Sequence, residues 1–295
     1  MIDIKLITYI KVVELKNFTQ AANELHLTQP AVTQHIKQLE NYYQHKLIEN
    51  THKEFQLTEA GHQLYEYAKI QVHNEDIFES QLSKISLPLR IGATLSIADY
   101  YLPHLISQTL ATSLQKTQII VNNTQTLTQM MIDGYLDCAF VEGQFDLNLF
   151  DYHLFKEERF VLVARKNHPL ASKNNHFNDL LNYPLFIRES GSGTRHILEN
   201  YLLQTMYDLS SFEKVIEVQS LTMIKKMLLD NEGISFLYEG VVKDELDSGS
   251  LIKLNLEDFQ LIRPMYFIYL HHNTDKQKYV DLFEKINQHT VSSQK

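Results

Sequence analysis

The chain has 295 residues, 44% of them hydrophobic and 11% aromatic, with a formal net charge of −9. That length and apolar content suit two or three folded units with a sizeable core, and the acidic balance argues against a protein that coats nucleic acid through bulk positive charge. Cys138 is the only cysteine, so an intrachain disulfide is excluded and a reducing compartment is expected. Asp3, Lys5, Lys11, Glu14 and Lys16 interrupt the opening twenty residues, and no run approaches the roughly 18 apolar residues of a membrane helix. The expectation is a cytoplasmic chain with no membrane partner.

Leu6, Ile10 and Val13 share one helical face and predict a first helix that ends near residues 15–17. Asn17 is placed to cap a second, short helix over residues 18–26, with Phe18, Ala21, Ala22 and Leu25 inward. Thr28 caps a third, which tolerates Pro30 in its first turn because the missing amide hydrogen has no helical partner there. Val32, Ile36, Leu39 and Tyr43 form its apolar stripe; Gln29, Thr33, Gln34 and Lys37 project from the other side. Two short helices with a tight turn and an amide- and hydroxyl-rich outer face suit a helix-turn-helix, and by pattern alone a buried helical hairpin fits as well.

Residues 44–58 suit a two-stranded wing, and Thr58 caps a long helix through about Ser86. Positions 57, 61, 64, 68, 71, 75, 78, 82 and 85 make a four-three seam, apolar at Leu57, Leu64, Ala68, Phe78, Leu82 and Ile85 and polar in its middle, so this helix calls for a partner, most simply its own copy. Beyond Pro88 strands alternate with helices, which predicts a mostly parallel sheet with crossovers.

The run from Phe18 to Glu40, with Gln29-Pro30-Ala31-Val32 at its centre, resembles the signature of LysR-type transcriptional regulators, and Leu57-Thr58-Glu59-Ala60-Gly61 resembles the entry to their linker helix. Similar words continue at Tyr101-Leu102-Pro103, Asp133 to Asp137, His168-Pro169-Leu170 and Ser190 to Arg195. The resemblance implies an all-α winged helix-turn-helix over 1–58, a linker and dimerisation helix over 59–87, and an α/β effector-binding domain over 88–295 built like periplasmic binding proteins. Its lobe I would take residues about 88–162 and 267–291, and its lobe II about 163–266, with crossovers near residues 160–164 and 263–269. Gln44, Ile48, Asn50 and Lys53 depart from residues common in the family, and the missing wing arginines weaken the expected wing contact, since lysine lacks the guanidinium fork.

Carried over position by position, the resemblance puts Gln29, Pro30, Thr33, Gln34 and Lys37 in the major groove, with Lys53 at the wing. Glutamine can pair with adenine through two bonds, threonine and proline can touch a thymine methyl, and no arginine is available for guanine, so an A·T-rich interrupted palindrome is expected. Residues 1–66 hold Lys5, Lys11, Lys16, Lys37, Lys46 and Lys53 against eight carboxylates, so few phosphate contacts are available and the affinity should fall with log salt at a slope of roughly −4 to −5 for a dimer. The expected partners are double-stranded DNA, a second copy or three more, and RNA polymerase.

Three junctions in the second domain, Ala93 to Ser96, Asn122 to Gln125 and Arg188 to Arg195, share one grammar of strand, hydroxyl or amide residues and helix start. Helix N-termini converging on one crevice favour an anion, and the matching family positions bind effectors. The expected effector-binding residues are Thr94, Ser96, Ser190, Ser192 and Thr194, then Asn123, Thr124 and Arg195, with Glu142 selecting a donor group or repelling a second charge. Each hydroxyl also has an ordinary reading as a helix cap.

No enzyme, cofactor or metal is expected. Ser190 to Thr194 lacks the Gly-Lys-Ser/Thr ending of a phosphate loop and the spacing of a nucleophile elbow, and His271 and His272 are adjacent on a strand end, so their rings point apart. A protein-interaction adaptor that retains ligand binding but has lost DNA remains the rival reading, suggested by the acidic head.

Overall fold

A computed structural model describes residues 2–51, 54–82, 88–103, 106, 116–257, 259–271, 273 and 276–292. The chain divides into two compact units, residues 1–87 with 132–135 and 272–275, and the remainder from Pro88 onward.

In the first unit α1 (Ile4–Leu15) starts where the Asp3 carboxylate accepts the Lys5 amide and stops at Lys16, which turns left-handed at φ 49°. Asn17 accepts the amides of Thr19 and Gln20 and opens α2 (Phe18–Glu24). Thr28 accepts the Ala31 amide at 3.3 Å and opens α3 (Gln29–Tyr43), which closes at Gln44 with φ 58°. Each cap satisfies amides that the first turn leaves without a partner. Tyr9, Val12, Ala21, Ala22, Val32, Ile36, Leu39, Leu47 and Leu64 form one core.

Two predicted faces shift. The first helix buries Thr8, Tyr9, Ile10 and Val12 while Leu6 and Val13 are half-buried, because the Tyr9 hydroxyl donates to the Gly61 carbonyl at 2.7 Å and turns that side inward. Tyr43, expected in the third helix's stripe, is exposed at the helix end and packs edge-on against Tyr42.

β1 (Ile48–Thr51) and β2 (Glu54–Leu57) pair antiparallel with Ile48 opposite Leu57, as a wing requires; Lys53 lies outside the described residues. The Thr58 hydroxyl accepts the Gly61 amide at 2.9 Å at the start of α4 (Glu59–Leu82). The seam expected for a partner helix is divided. Gly61, Leu64 and Ala68 are buried within the chain's own head, and a Cβ at Gly61 would lie 2.1 Å from the Leu47 carbonyl oxygen. Phe78 and Leu82 are exposed, and Ile85 and Ser86 lie outside the described residues.

The second unit carries β3 (Leu89–Ala93), α5 (Leu95–Tyr100), β4 (Thr117–Val121), α6 (Thr124–Ile132), β5 (Cys138–Glu142) and β6 (Phe150–Arg165). There follow α7 (Phe177–Leu180), β7 (Leu185–Ile187), α8 (Gly193–Gln204), β8 (Val215–Glu217), α9 (Leu221–Asp230) and β9 (Ser235–Tyr238). α10 (Lys243–Asp247), β10 (Leu251–Lys253), β11 (Leu261–Leu270) and α11 (Lys276–Ser292) complete it. One sheet runs β10-β6-β11-β5-β3-β4 with β9 also on β6, and β7 pairs β8 separately.

The mostly parallel sheet expected from the alternation holds only in part: β4-β3-β5 and β7-β8 are parallel, whereas β11 is antiparallel to both β5 and β6. Its reason is geometric. A chain that leaves one group of strands and later returns must run back, and β6 and β11 are the long outgoing and returning strands, paired from Leu261–Phe160 to Leu270–Phe150. The carboxyl ends of β3, β4 and β5 face one crevice, where helix starts and functional side chains collect.

Candidate functional site

On the first unit the outward side of α3 is open. Gln29, Pro30, Gln34 and Lys37 are exposed and Thr33 is half-buried, while Val32, Ile36 and Leu39 hold the helix to the core. The Gln29 amide donates to the Thr33 hydroxyl at 3.0 Å one turn on, which leaves the Gln29 carbonyl facing outward as an acceptor. Three of the head lysines are neutralised locally: Lys5 by Asp3 at 2.8 Å, Lys11 by Glu14 at 3.0 Å, and Lys46 by Glu40 at 2.8 Å. Lys5, one of the lysines counted for phosphate contact, is therefore already paired with a carboxylate. Lys16 and Lys37 are exposed and enter no ion pair among the described residues. Lys16 was not singled out in the sequence; the signal available was the absence of a carboxylate one helical turn away on its exposed side.

The effector residues expected in the second unit fall into two compartments. An open cleft of about 1090 Å³ is lined by Thr124, Gln125, Ser190, Ser192, Arg195 and His196 on one side and by Phe145, Tyr152, Pro264 and Tyr266 on the other. Phe145, Tyr152 and Tyr266 contact one another at centroid distances of 5.4 to 6.0 Å, an aromatic wall that the sequence reading missed because Tyr266 reaches Phe145 and Tyr152 from a distant strand. Ser190 is exposed at the rim, and Arg195 is held by Glu199 at 2.7 Å and Glu217 at 2.6 Å. Asn123 has the cap role: its side chain accepts the Thr126 amide at 2.9 Å.

Beside the cleft a closed nest surrounds Glu142. Its Oε1 accepts the Ser96 hydroxyl at 3.0 Å and the Thr194 hydroxyl at 2.6 Å, and its backbone carbonyl accepts the Thr124 hydroxyl at 2.7 Å. Ser96 opens α5 and Thr194 opens α8, so one carboxylate ties together two helix starts, one near the beginning and one near the middle of the domain sequence. The backbones meet as closely: a Cβ at Gly193 would lie 2.1 Å from the Glu142 carbonyl oxygen, so only glycine permits this approach. Burial pushes the Glu142 carboxyl above the usual carboxylate range, against the pull of its two hydroxyl donors and of Arg188. Arg188 itself is buried and forked onto Glu189 at 2.8 and 3.0 Å.

Two of the cap readings fail. Thr94 and Ser192 stand at the N-caps of α5 and α8, yet neither side chain makes a capping bond. The Thr94 hydroxyl, Glu142 Oε2 and the Tyr238 hydroxyl are all buried with no partner among the described residues. Arg263, on β11, is half-buried and makes no hydrogen bond or ion pair among the described residues. Tyr238 and Arg263 escaped the sequence reading, since both sit inside strands where nothing local marks a site. Cys138 is buried, and no metal-holding group occurs among the described residues. Nor is any helix among them long and apolar enough to cross a membrane.

A winged head with an exposed polar recognition helix, joined to an α/β domain with a cleft at its strand ends, defines the class of ligand-responsive transcriptional regulators. Residues 5–62 match the family described as bacterial regulatory helix-turn-helix protein, lysR family, and residues 84–290 match the LysR substrate binding domain. The chain belongs to the LysR family. It is 30% identical to the transcriptional regulator CysL of Bacillus subtilis over 89% of each chain, and 31% identical to the transcriptional activator CmpR of Synechocystis over 86% of this chain and 84% of that one. Among solved structures, full-length LysG of Corynebacterium glutamicum with bound effector Arg aligns over 99% of both chains at TM-score 0.70 and 18% identity. The Synechocystis CcmR regulatory domain in complex with 2-PG aligns over 68% of this chain and 97% of that one, at TM-score 0.59 and 24% identity. These relatives are transcriptional regulators, and nothing among them supports the adaptor reading.

Proposed function

We propose that this regulator binds an A·T-rich interrupted palindrome as a homodimer or homotetramer, with Gln29, Pro30, Thr33, Gln34 and Lys37 in the major groove. The observation that carries the reading is the outer face of α3, which offers amides, a hydroxyl and one free ammonium while its inner face is locked to the core. Lys16 and Lys37 supply the phosphate contacts, together with Lys53 at the wing, and RNA polymerase is the further partner. Exposed Phe78 and Leu82 on α4 support a second copy, because large apolar groups on one helical stripe are stabilised by a matching stripe. The chain acts in the cytoplasm and catalyses no reaction.

The second unit binds a small effector bearing an acidic group, placed between lobe I, about 88–162 and 267–291, and lobe II, about 163–266. The support is the open cleft lined by Thr124, Ser192 and the free guanidinium of Arg263, with the nest beside it in which Ser96, Thr124 and Thr194 donate to Glu142. The effector acts by holding the lobes in one of two arrangements, which requires different affinity for each.

The test is footprinting of the purified chain on DNA upstream of its own and neighbouring genes at low ionic strength. Two protected half-sites, lost on competition with the same fragment and retained against nonspecific DNA, are expected. A chain that protects no fragment overturns the DNA reading.

A further inference from the structure

The Glu142 nest has a specific chemical shortage. Three oxygens there are buried without a partner: Thr94 Oγ1 (residue 2% exposed), Glu142 Oε2 (1%) and Tyr238 Oη (0%). Every other oxygen of the Glu142 carboxyl and main chain is met, by Ser96, Thr194 and Thr124. Thr94, the N-cap of α5, lies two residues before Ser96, and Tyr238 is close enough for the Glu142 charge to raise its phenol after burial has done so. Each unmet buried group carries a desolvation cost, so a site with one unmet carboxylate oxygen and two unmet hydroxyls in its surroundings is suited to a group that donates.

The two hydroxyl donors that sequence reasoning assigned to an anionic ligand are already taken by Glu142. An anion entering the nest would meet a carboxylate; a group with several hydrogens would meet three acceptors. An ammonium offers three N–H donors and a positive charge that would ionise and match Glu142.

The strand register adds the opposite pole. Met265 on β11 stands directly across from Glu142 on β5, and Arg263, two residues earlier, shares its sheet face. Diagonal neighbours of this kind are about 7–8 Å apart, which a long side chain spans. Across β6, Arg263 is paired with Glu158 and Tyr238 with Phe160, so Arg263, Glu158, Phe160 and Tyr238 lie on that same face. Glu158 is engaged by Lys156 at 3.3 Å and the Tyr101 hydroxyl at 3.2 Å, which leaves the Arg263 guanidinium free.

We infer that the effector is a small zwitterion of amino-acid type, its ammonium held by Glu142 with the hydroxyls of Thr94 and Tyr238 and its carboxylate held by Arg263. This rests on the reading of the inter-lobe crevice as the effector site. It goes beyond that reading by fixing the charge pattern, and it replaces a purely anionic ligand with one that carries both signs.

The experiment uses the full-length chain and a panel of the standard L-amino acids, the 2-oxo acids with the same side chains, the matching amines, and inorganic sulfate and phosphate. Melting shifts identify binders and calorimetry ranks them. At least one amino acid should raise the melting temperature by several degrees, with its 2-oxo acid and its amine each binding at least tenfold more weakly. Glu142→Gln and Arg263→Gln should each weaken that amino acid at least tenfold while retaining operator binding, which reports that the chain is folded. A 2-oxo acid or sulfate that binds as well as any amino acid, and loses affinity in a Thr124→Val/Ser192→Ala variant, overturns the zwitterion while the crevice stands. A silent panel, or an amino acid that binds Glu142→Gln undiminished, also overturns it; in the latter case the three oxygens are met by water alone.

Discussion

The head and the crevice are both built from helix starts, and they use them in opposite ways. In the head Asn17 and Thr28 accept the amides they were placed to accept, so the hydroxyl or amide is consumed by the fold and recognition falls to the next turn of the helix. In the crevice Thr94 and Ser192 occupy the same cap position without bonding the helix, and Ser96 and Thr194 bond a carboxylate instead. A cap residue that does not cap keeps its hydroxyl available, which the cap residue type alone does not reveal.

The two glycines at the closest backbone approaches give the sharpest way to break the comparison. Gly61→Ala would drive a methyl into the Leu47 carbonyl and Gly193→Ala into the Glu142 carbonyl, each starting 2.1 Å from an oxygen. Overpacking costs about 1–3 kcal/mol where neighbours can yield, and backbone yields less readily. Gly61→Ala should lower the melting temperature of the head and remove operator binding. Gly193→Ala should leave operator binding in place and abolish stabilisation by ligand. A gel-shift titration beside a melting curve reads both, and equal loss of DNA binding in the two variants would contradict the division of labour.

On the recognition face Gln34→Ala should cost about 1–3 kcal/mol of operator affinity, roughly 5- to 150-fold, and relax the preference for adenine at one position of each half-site. A uniform loss over all sequences would instead mark Gln34 as a backbone contact. Cap substitutions come next. Asn17→Ala and Thr28→Ala should each destabilise by about 1 kcal/mol, whereas Thr94→Val, which removes a buried hydroxyl that meets nothing, should leave the melting temperature unchanged or raise it.

How much of this could be read from the chain itself follows the same line. The three head helices and the wing were legible because local signals, Asn17, Thr28 with Pro30, and Thr58, decide them within a few residues. The α3 face was legible for the same reason. The sharing of α4 between its own head and a partner was not, since the seam spacing at Gly61, Leu64 and Ala68 is the same whichever surface covers it. In the crevice the strand-to-helix junctions pointed to Thr94, Ser96, Thr124, Ser192 and Thr194. Tyr238, Arg263 and the packing of Tyr266 on Phe145 and Tyr152 were invisible, because their positions come from the pairing of β6 with the distant strands β9 and β11. Two of the hydroxyls expected at helix starts, those of Ser96 and Thr194, donate to Glu142, a contact between strand end and helix start that no local signal marks.

Smaller effects sharpen the electrostatic side. The folded chain holds the Glu142 proton more tightly than the unfolded chain does, because burial disfavours the ionised carboxyl. Stability contributed by this group is therefore lost as pH rises above the ordinary value of 4.5, until the folded group has ionised, and is constant beyond. Glu142→Gln should remove that segment of the pH–stability curve, measured by denaturant melts across the window. A parallel curve in wild type and variant would mean Glu142 is ionised in the folded chain at every pH sampled. Lys37→Ala should reduce the slope of log affinity against log salt by about 1 for each phosphate it no longer neutralises, with no change in preferred sequence.

The central claim, that the exposed side of α3 reads bases with amides and hydroxyls in an acidic head, is tested most directly by selection from a random DNA library with the full-length chain at low salt. The account predicts enrichment of an A·T-rich palindrome with an unread centre, and loss of the half-site motif in Gln29→Ala/Gln34→Ala. Enrichment of GC-rich sites, or the same motif from the double variant, would contradict it.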